Sequence, residues 1–299
     1  MKKIKALVLF SGGLDSRLAL KIMQEQLGKK NITSINFILP FGAGCCNEHC
    51  ALKFAQNEQV KLKIIDCTKG RLLQEYLEIV KKPKFGYGSC LNPCIDCRIF
   101  MLKKAREYAD KEKVELIVTG EVLDERPMSQ HKRAMEIVEE ESGLRGRLLR
   151  PLSAKLLPET DAEKKGLIDR SKLLDIKGRG RKVQIELAKE FNISYPSPAG
   201  GCLLCEEEFV KKLKPLLGKK INEDYIQLLK IGRHFEQSNI ILGRNKEEND
   251  KLEKFKGIKI IPREPGASAL IKDKKYVEEA KKLIQKYSKH EIKSWKIEN

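Results

Sequence analysis

Lys5-Ala6-Leu7-Val8-Leu9-Phe10-Ser11-Gly12-Gly13-Leu14-Asp15-Ser16 joins an apolar run to two glycines and then to a new periodicity. Lys5 to Phe10 has the length of a buried strand, and Asp15 to Gln26 carries apolar residues at helical spacing, so the glycines fall at a strand-to-helix turn. Glycines there let backbone N–H groups close around an anion, and the positive end of the helix adds to the attraction. Ser11 and Ser16 can donate hydroxyl hydrogen bonds, and Asp15 can cap the helix or help hold Mg²⁺, a hard cation that prefers oxygen. The loop has neither the lysine of a Walker P-loop nor the three spaced glycines of a dinucleotide fold.

Outward from this turn, Ser34 to Leu39, Leu62 to Ile65 and Leu116 to Thr119 are further apolar runs of strand length. Helical patterns separate them, notably at Leu72 to Val80 and Ile99 to Asp110. Alternation of this kind predicts an α/β fold with a doubly wound parallel sheet. Arg145 to Thr160 is rich in turn-forming and basic residues and reads as an excursion near the active face, and Lys182 to Phe191 is helical again. A boundary is expected near Gly218, giving domains at 1–217 and 218–299. In the second, Ile240 to Leu242, Ile258 to Ile261 and Ala269 to Ile271 read as short strands of a smaller α+β module, followed by an amphipathic helix over Tyr276 to Tyr287.

With 60 Lys and Arg against 42 Asp and Glu in 299 residues, the net charge is +18. Such an excess points to a polyanionic partner, nucleic acid above all. The apolar run before Gly12 is too short for a signal-peptide core or a membrane span, so a cytoplasmic protein with no membrane partner is expected. In a reducing compartment the nine cysteines are better read as ligands, nucleophiles or core residues than as disulfides. Cys94 and Cys97 stand at C-x-x-C spacing before a helix, beside Arg98, where a thiol pKa is expected to fall. Cys202 and Cys205 form a second pair after Gly200 and Gly201. The spacing alone suits zinc, an iron–sulfur cluster or a redox pair. Cys45, Cys46 and Cys50 read as an accessory group, and Cys67 as core.

Ser11 to Ser16 resembles the SGGxDS signature of the PP-loop ATP pyrophosphatase superfamily, of adenine nucleotide α-hydrolase-like fold, whose members cleave ATP between its α and β phosphates. The resemblance implies that Ser11, Gly12, Gly13, Leu14, Asp15 and Ser16 bind ATP, and that Thr119, Gly120 and Glu121 match a segment beside the nucleotide. NPCIDC at 92–97 is similar to an element of tRNA 2-thiouridylases. GEVLDERPMSQH at 120–131, RPLSAKLLPET at 150–160 and YPSPAGGCLL at 195–204 are similar to the compact 4-thiouridine synthase-like branch. That likeness implies an ATP-dependent tRNA sulfurtransferase that adenylylates a uridine and replaces its oxygen with sulfur. Its partners are then tRNA and a sulfur donor, whether free sulfide, a cysteine desulfurase or a carrier protein. By the same likeness Cys94 and Cys202 are the catalytic thiols, or Cys94, Cys97 and Cys202 hold a [4Fe–4S] cluster, with zinc the alternative.

Gly243-Arg244-Asn245 with Asn249-Asp250 and Leu252, together with Pro265-Gly266-Ala267-Ser268, resembles NFACT-type RNA-binding domains. Arg126, His131, Lys132, Arg133, Arg145, Arg147, Arg150, Lys155 and the stretch from Gly178 to Lys182 are expected to meet tRNA phosphates. Two other readings remain at this level. One is a PP-loop ligase acting on a small molecule with structural zinc, and the other a non-catalytic RNA-binding factor.

Overall fold

The computed structural model describes residues 4–42, 48–196, 201–219, 221–235 and 239–298, without the side chains of 48–50. The chain divides into two compact units, residues 1–205 and 206–299. In the first, β1 (Ala6–Leu9), α1 (Leu14–Leu27), β2 (Ile32–Ile38), α2 (Glu48–Asn57) and β3 (Lys61–Asp66) are followed by α3 (Gly70–Lys81), α4 (Cys94–Lys111) and β4 (Leu116–Thr119). Then come α5 (Lys132–Ser142), β5 (Leu148–Leu149), α6 (Asp161–Lys164) and α7 (Lys182–Glu190). All five strands pair in parallel in the order β3-β2-β1-β4-β5.

Each residue of β1 is buried, as expected for a central parallel strand covered on both faces. Alternation along it builds two layers. Ala6 and Val8 join Leu18, Ile22 and Met23 of α1 and Ala188 of α7, whereas Leu7 and Leu9 join Leu102, Ala105 and Ala109 of α4 and Val138 of α5. The expected doubly wound sheet is therefore present. Its strand order reverses between β1 and β4, and the segments leaving those strands border the crevice where such folds bind ligands.

The second unit contains α8 (Glu207–Leu213), α9 (Glu223–Leu229), β6 (Arg233–Phe235), β7 (Ile240–Leu242), α10 (Lys246–Leu252), β8 (Ile258–Pro262), β9 (Ala269–Ile271), α11 (Val277–Tyr287) and β10 (Trp295–Glu298). Its antiparallel sheet runs β10-β8-β9-β7-β6. One face packs on Ala280 and Ile284 of α11, and the other on Leu228 of α9 and Leu252 of α10. The division at 205/206 precedes the expected 217/218 because α8 goes with this unit. Phe209 and Leu213 of α8 are buried, and Lys212 donates to the Gly232 carbonyl at 3.2 Å. No helix among the described residues is long and apolar enough to cross a membrane.

Candidate functional site

The glycine turn after β1 is held from below by a side chain that its spacing in the sequence does not single out. Arg17 is buried, donates from Nε to the Gly12 carbonyl at 2.6 Å and from Nη1 to the Ser194 carbonyl at 2.6 Å, and lies 4.2 Å over the Phe54 ring. Gly12 takes φ +82°, a left-handed conformation that favours glycine. Gly13 caps α1 in extended conformation and donates to Ser11 Oγ at 3.4 Å, while Ser16 Oγ donates to the Gly13 carbonyl at 2.9 Å. The first N–H groups of α1 have no acceptor within the helix, which is the physical basis of an anion site there.

Asp15 has a second carboxylate beside it. Burial, then the charge of Glu125, pushes the Asp15 carboxyl up to about 6 against the opposing pull of Arg181 and Arg126. Its Oδ1 is buried without a hydrogen-bond partner, and Arg181 approaches Oδ2 at 3.9 Å while bonding Glu125 at 2.8 Å. Two carboxylates, one with an orphaned oxygen, fit a hard divalent cation in donor type and charge. Sequence spacing carries no sign of this pairing, since Glu125 and Arg181 meet Asp15 only through the return of β4 and α7 to the same sheet edge.

Gly120 presses on the loop from β4. A Cβ there would stand 2.6 Å from the Asp15 carbonyl and 2.7 Å from the Ser16 nitrogen. Glu121, in the segment expected beside the nucleotide, is engaged by side chains of the protein itself. It is 3% exposed, accepts from Thr119 Oγ1 and Arg150 Nε at 3.0 Å each, and pairs with Arg98 Nε at 3.0 Å. Burial alone would raise its pKa, but Arg98 and Arg150 outweigh that and hold the carboxyl below its ordinary value. Arg150, itself buried, also bonds Glu139. It is thus a buried structural cation rather than the phosphate contact expected of it. Arg147 is similarly occupied, with Asp110 at 2.9 Å and the Val114 carbonyl at 3.1 Å. Arg126, Lys132, Arg133, Arg145 and Lys155 do lie exposed.

Glu121 connects the nucleotide side of the crevice to the cysteines, because Arg98 lies in the first turns of α4. Cys94 opens that helix, and Asp96 fixes the preceding loop by accepting from the Lys84 and Phe85 N–H groups at 2.9 and 3.1 Å. The second pair is anchored close by. Cys202 bridges to Gly42, Leu203 N–H donates to the Phe41 carbonyl at 2.9 Å, and Leu91 N–H donates to the Leu204 carbonyl at 3.1 Å. Asn92 donates to Cys205 Sγ at 2.8 Å and accepts from the Cys94 thiol at 3.2 Å, and the fully buried Tyr76 hydroxyl donates to Cys97 Sγ at 3.3 Å. Cys94, Cys97, Cys202 and Cys205 thus gather at one place.

The expected depression of the thiol pKa values is not found. Burial, then the neighbouring Cys205, pushes Cys94 up against Arg98, burial also raises Cys97, and burial drives Cys202 up to about 12. The proximity of Arg98 is outweighed because these sulfurs are partly removed from water. Cys94, Cys97 and Cys202 offer three thiols, which match in number and type the ligands that a [4Fe–4S] cluster with one iron free would take. Among the described residues no group of three or more His, Cys, Asp or Glu side chains is arranged to hold a metal ion. Cys67 is buried, as expected, and the Cys45–Cys46–Cys50 group lies outside the described residues apart from the backbone of Cys50 in α2.

In the second unit the two motif segments meet. Asn249 donates to the Gly266 carbonyl at 3.1 Å and accepts from Ser268 N–H at 3.0 Å, while Asn245 caps α10 by accepting from Glu248 N–H. Beside them is a cavity of about 440 Å³ whose lining includes Arg233, Lys246, Tyr287, Lys289 and His290 and, among the described residues, no carboxylate.

Residues 2–155 match the profile of the family described as thiamine biosynthesis protein (ThiI). No curated protein sequence matches the chain. Among solved structures, the U34-tRNA thiolase NcsA from Methanococcus maripaludis with its [4Fe–4S] cluster is similar at 19% identity and a TM-score of 0.36, covering 77% of this chain and 74% of that one. An NH3-dependent NAD synthetase from Campylobacter jejuni, in complex with nitrate, is similar at 14% identity and a TM-score of 0.38, covering 77% and 84%.

Proposed function

Because this chain belongs to the ThiI family, we propose that it is an ATP-dependent tRNA sulfurtransferase whose adenylylation and sulfur sites share one crevice. The observation that carries the reading is the Glu121–Arg98 ion pair. It ties the segment packed on the phosphate loop to the helix that bears Cys94 and Cys97.

ATP places its phosphates on the loop from Ser11 to Ser16, with Asp15 and Glu125 positioned to hold Mg²⁺. A uridine must leave the base stack to reach the crevice, and the exposed basic side chains bind the surrounding phosphates. The uracil oxygen attacks the α phosphorus and pyrophosphate leaves. This converts a poor leaving group into AMP, which a sulfur nucleophile displaces from the ring carbon, forming C–S and breaking C–O. Cys94 and Cys202 are the thiols that carry or present that sulfur. In the alternative form of the reading Cys94, Cys97 and Cys202 would instead hold a [4Fe–4S] cluster, which when bound supplies an exchangeable iron site for sulfide. The second unit serves as an RNA-binding module that adds phosphate contacts.

The test is release of AMP and pyrophosphate by the full chain with ATP, Mg²⁺ and unmodified tRNA, followed by nucleoside analysis. Cys94→Ser and Cys202→Ser should each lose thiolation and keep AMP release. Wild-type thiolation in Cys94→Ser would overturn the reading.

A further inference from the structure

Cys205 has no part in the scheme above, yet it is the outermost member of the gathered thiols. It is exposed, whereas Cys94, Cys97 and Cys202 are partly buried. Its place is rigidly set. Leu204 is fully buried between Cys202 and Cys205, and Cys205 N–H closes a 2.8 Å bond to the Cys202 carbonyl. Cys202 immediately precedes the 3₁₀ turn Leu203–Cys205, an i to i+3 spacing at which such turns bring side chains into register, and Cys205 is the more exposed of the two thiols. The buried Asn92 side chain then bridges two sulfurs. Its Nδ2 donates to Cys205 Sγ at 2.8 Å, while its Oδ1 accepts the Cys94 thiol at 3.2 Å.

Resting on the form of the sulfur-transfer reading in which Cys202 is a free, persulfide-carrying thiol and not a cluster ligand, we propose that Cys205 is the intake thiol of a sulfur relay, taking sulfane sulfur from an external persulfide and handing it to Cys202. In the intake step the Cys205 thiolate attacks the outer sulfur of a donor R–S–SH. The donor S–S bond breaks, its electron pair leaves on R–S⁻, and the proton given up by Cys205 goes to that thiolate. In the hand-off Cys202 attacks the outer sulfur of Cys205–S–SH, and the pair returns to Cys205 together with the proton of Cys202. One sulfur atom moves inward with no oxidant or reductant consumed. Asn92 is the positioning residue. Its N–H stabilises the Cys205 thiolate as it departs, and its bond to Cys94 fixes the amide orientation. A macromolecular donor can deliver to the exposed thiol without entering the crevice.

The experiment supplies the full-length protein with limiting inorganic polysulfide, quenches with an alkylating agent at successive times, and locates the added sulfur by peptide mass spectrometry. Cys205 should gain sulfur first and Cys202 later. Cys205→Ser should reduce the gain at Cys202 to the background level of the other cysteines, of which Cys90 is exposed among the described residues. Asn92→Ala should still load Cys205 but slow the hand-off by about tenfold, the kinetic equivalent of one hydrogen bond to a charged group. Loading of Cys202 at the wild-type rate in Cys205→Ser would overturn the relay and leave the sulfurtransferase reading standing. Absence of added sulfur on every cysteine of the wild type would overturn the relay together with the persulfide role of Cys202.

Discussion

Asp15 and Ser16 lie where α1 meets its glycine turn, the place proposed above for the ATP phosphates, with Asp15 proposed to help hold Mg²⁺. Asp15→Asn and Ser16→Ala should each lower AMP release by about a hundredfold, the usual cost of one group that stabilises developing charge. Filter binding should show tRNA affinity within a few-fold of wild type, because the loop is proposed to meet phosphate of the nucleotide rather than of RNA. Glu121 calls for a different measurement. It offsets the buried Arg150 and the adjoining Arg98, so Glu121→Gln should destabilise the first unit by about 3 kcal/mol in urea melts, as when one partner of a buried pair is removed. His234 provides a pH signature in the second unit. Burial, then Lys212, lowers its pKa to about 4, and its Nε2–H donates to the Leu228 and Ile231 carbonyls at 3.1 and 2.9 Å. A histidine with a depressed folded-state pKa favours folding while neutral, so its contribution is present above pH ~6.5 and is lost as pH falls toward ~4. His234→Gln should flatten the fall in melting temperature across that window, and an unchanged slope would show that other groups govern it.

Between elements, the decisive contact is that of the β4 terminus with the N-terminus of α1. Gly120 allows it, because a Cβ would meet Asp15 and Ser16 backbone atoms at 2.6 and 2.7 Å, and backbone cannot swing aside as a side chain can. Gly120→Ala should therefore weaken ATP binding, measured calorimetrically, and cost roughly 1–3 kcal/mol of stability, the range for overpacking. Thiol reactivity in the Cys202–Cys205 turn should change far less. Equal losses at both places would mean that the whole unit, rather than this contact, had been disturbed. The strands and helices here follow closely from periodicity. β1, β4 and α1 fall where apolar spacing puts them, whereas the two-residue β5 does not stand out in the run from Arg145 to Thr160. A strand that short is defined by its pairing with Ile117 and Val118 rather than by its own pattern.

Over the whole molecule, the net charge of +18 predicts tRNA affinity that falls steeply with salt. If the second unit helps to neutralise phosphates, replacing Arg233, Lys246 and Lys289 together by alanine should flatten the plot of log affinity against log salt. The expected change in slope is roughly 0.7–0.9 for each phosphate that is no longer neutralised. An unchanged slope would assign this cavity to another ligand. The same charge excess reads less directly within the first unit, where Arg147 and Arg150 serve carboxylates and carbonyls of the protein itself.

What the amino-acid sequence determined alone was whatever depends on neighbours along the chain. Alternating apolar runs imposed a parallel α/β sheet, two glycines imposed a turn between a strand and a helix, and one pair of cysteines fell at the start of a helix. What only the tertiary structure decided depends on burial and on partners far apart in sequence. Glu125 and Arg181 join Asp15, Glu121 is enclosed by Arg98 and Arg150, and Asn92 links Cys94 to Cys205. The reversal at the thiols has the same origin. Arg98 is visible one residue from Cys97 and favours a thiolate, but the loss of water around the sulfurs appears only when the chain folds back, and that desolvation is the larger effect.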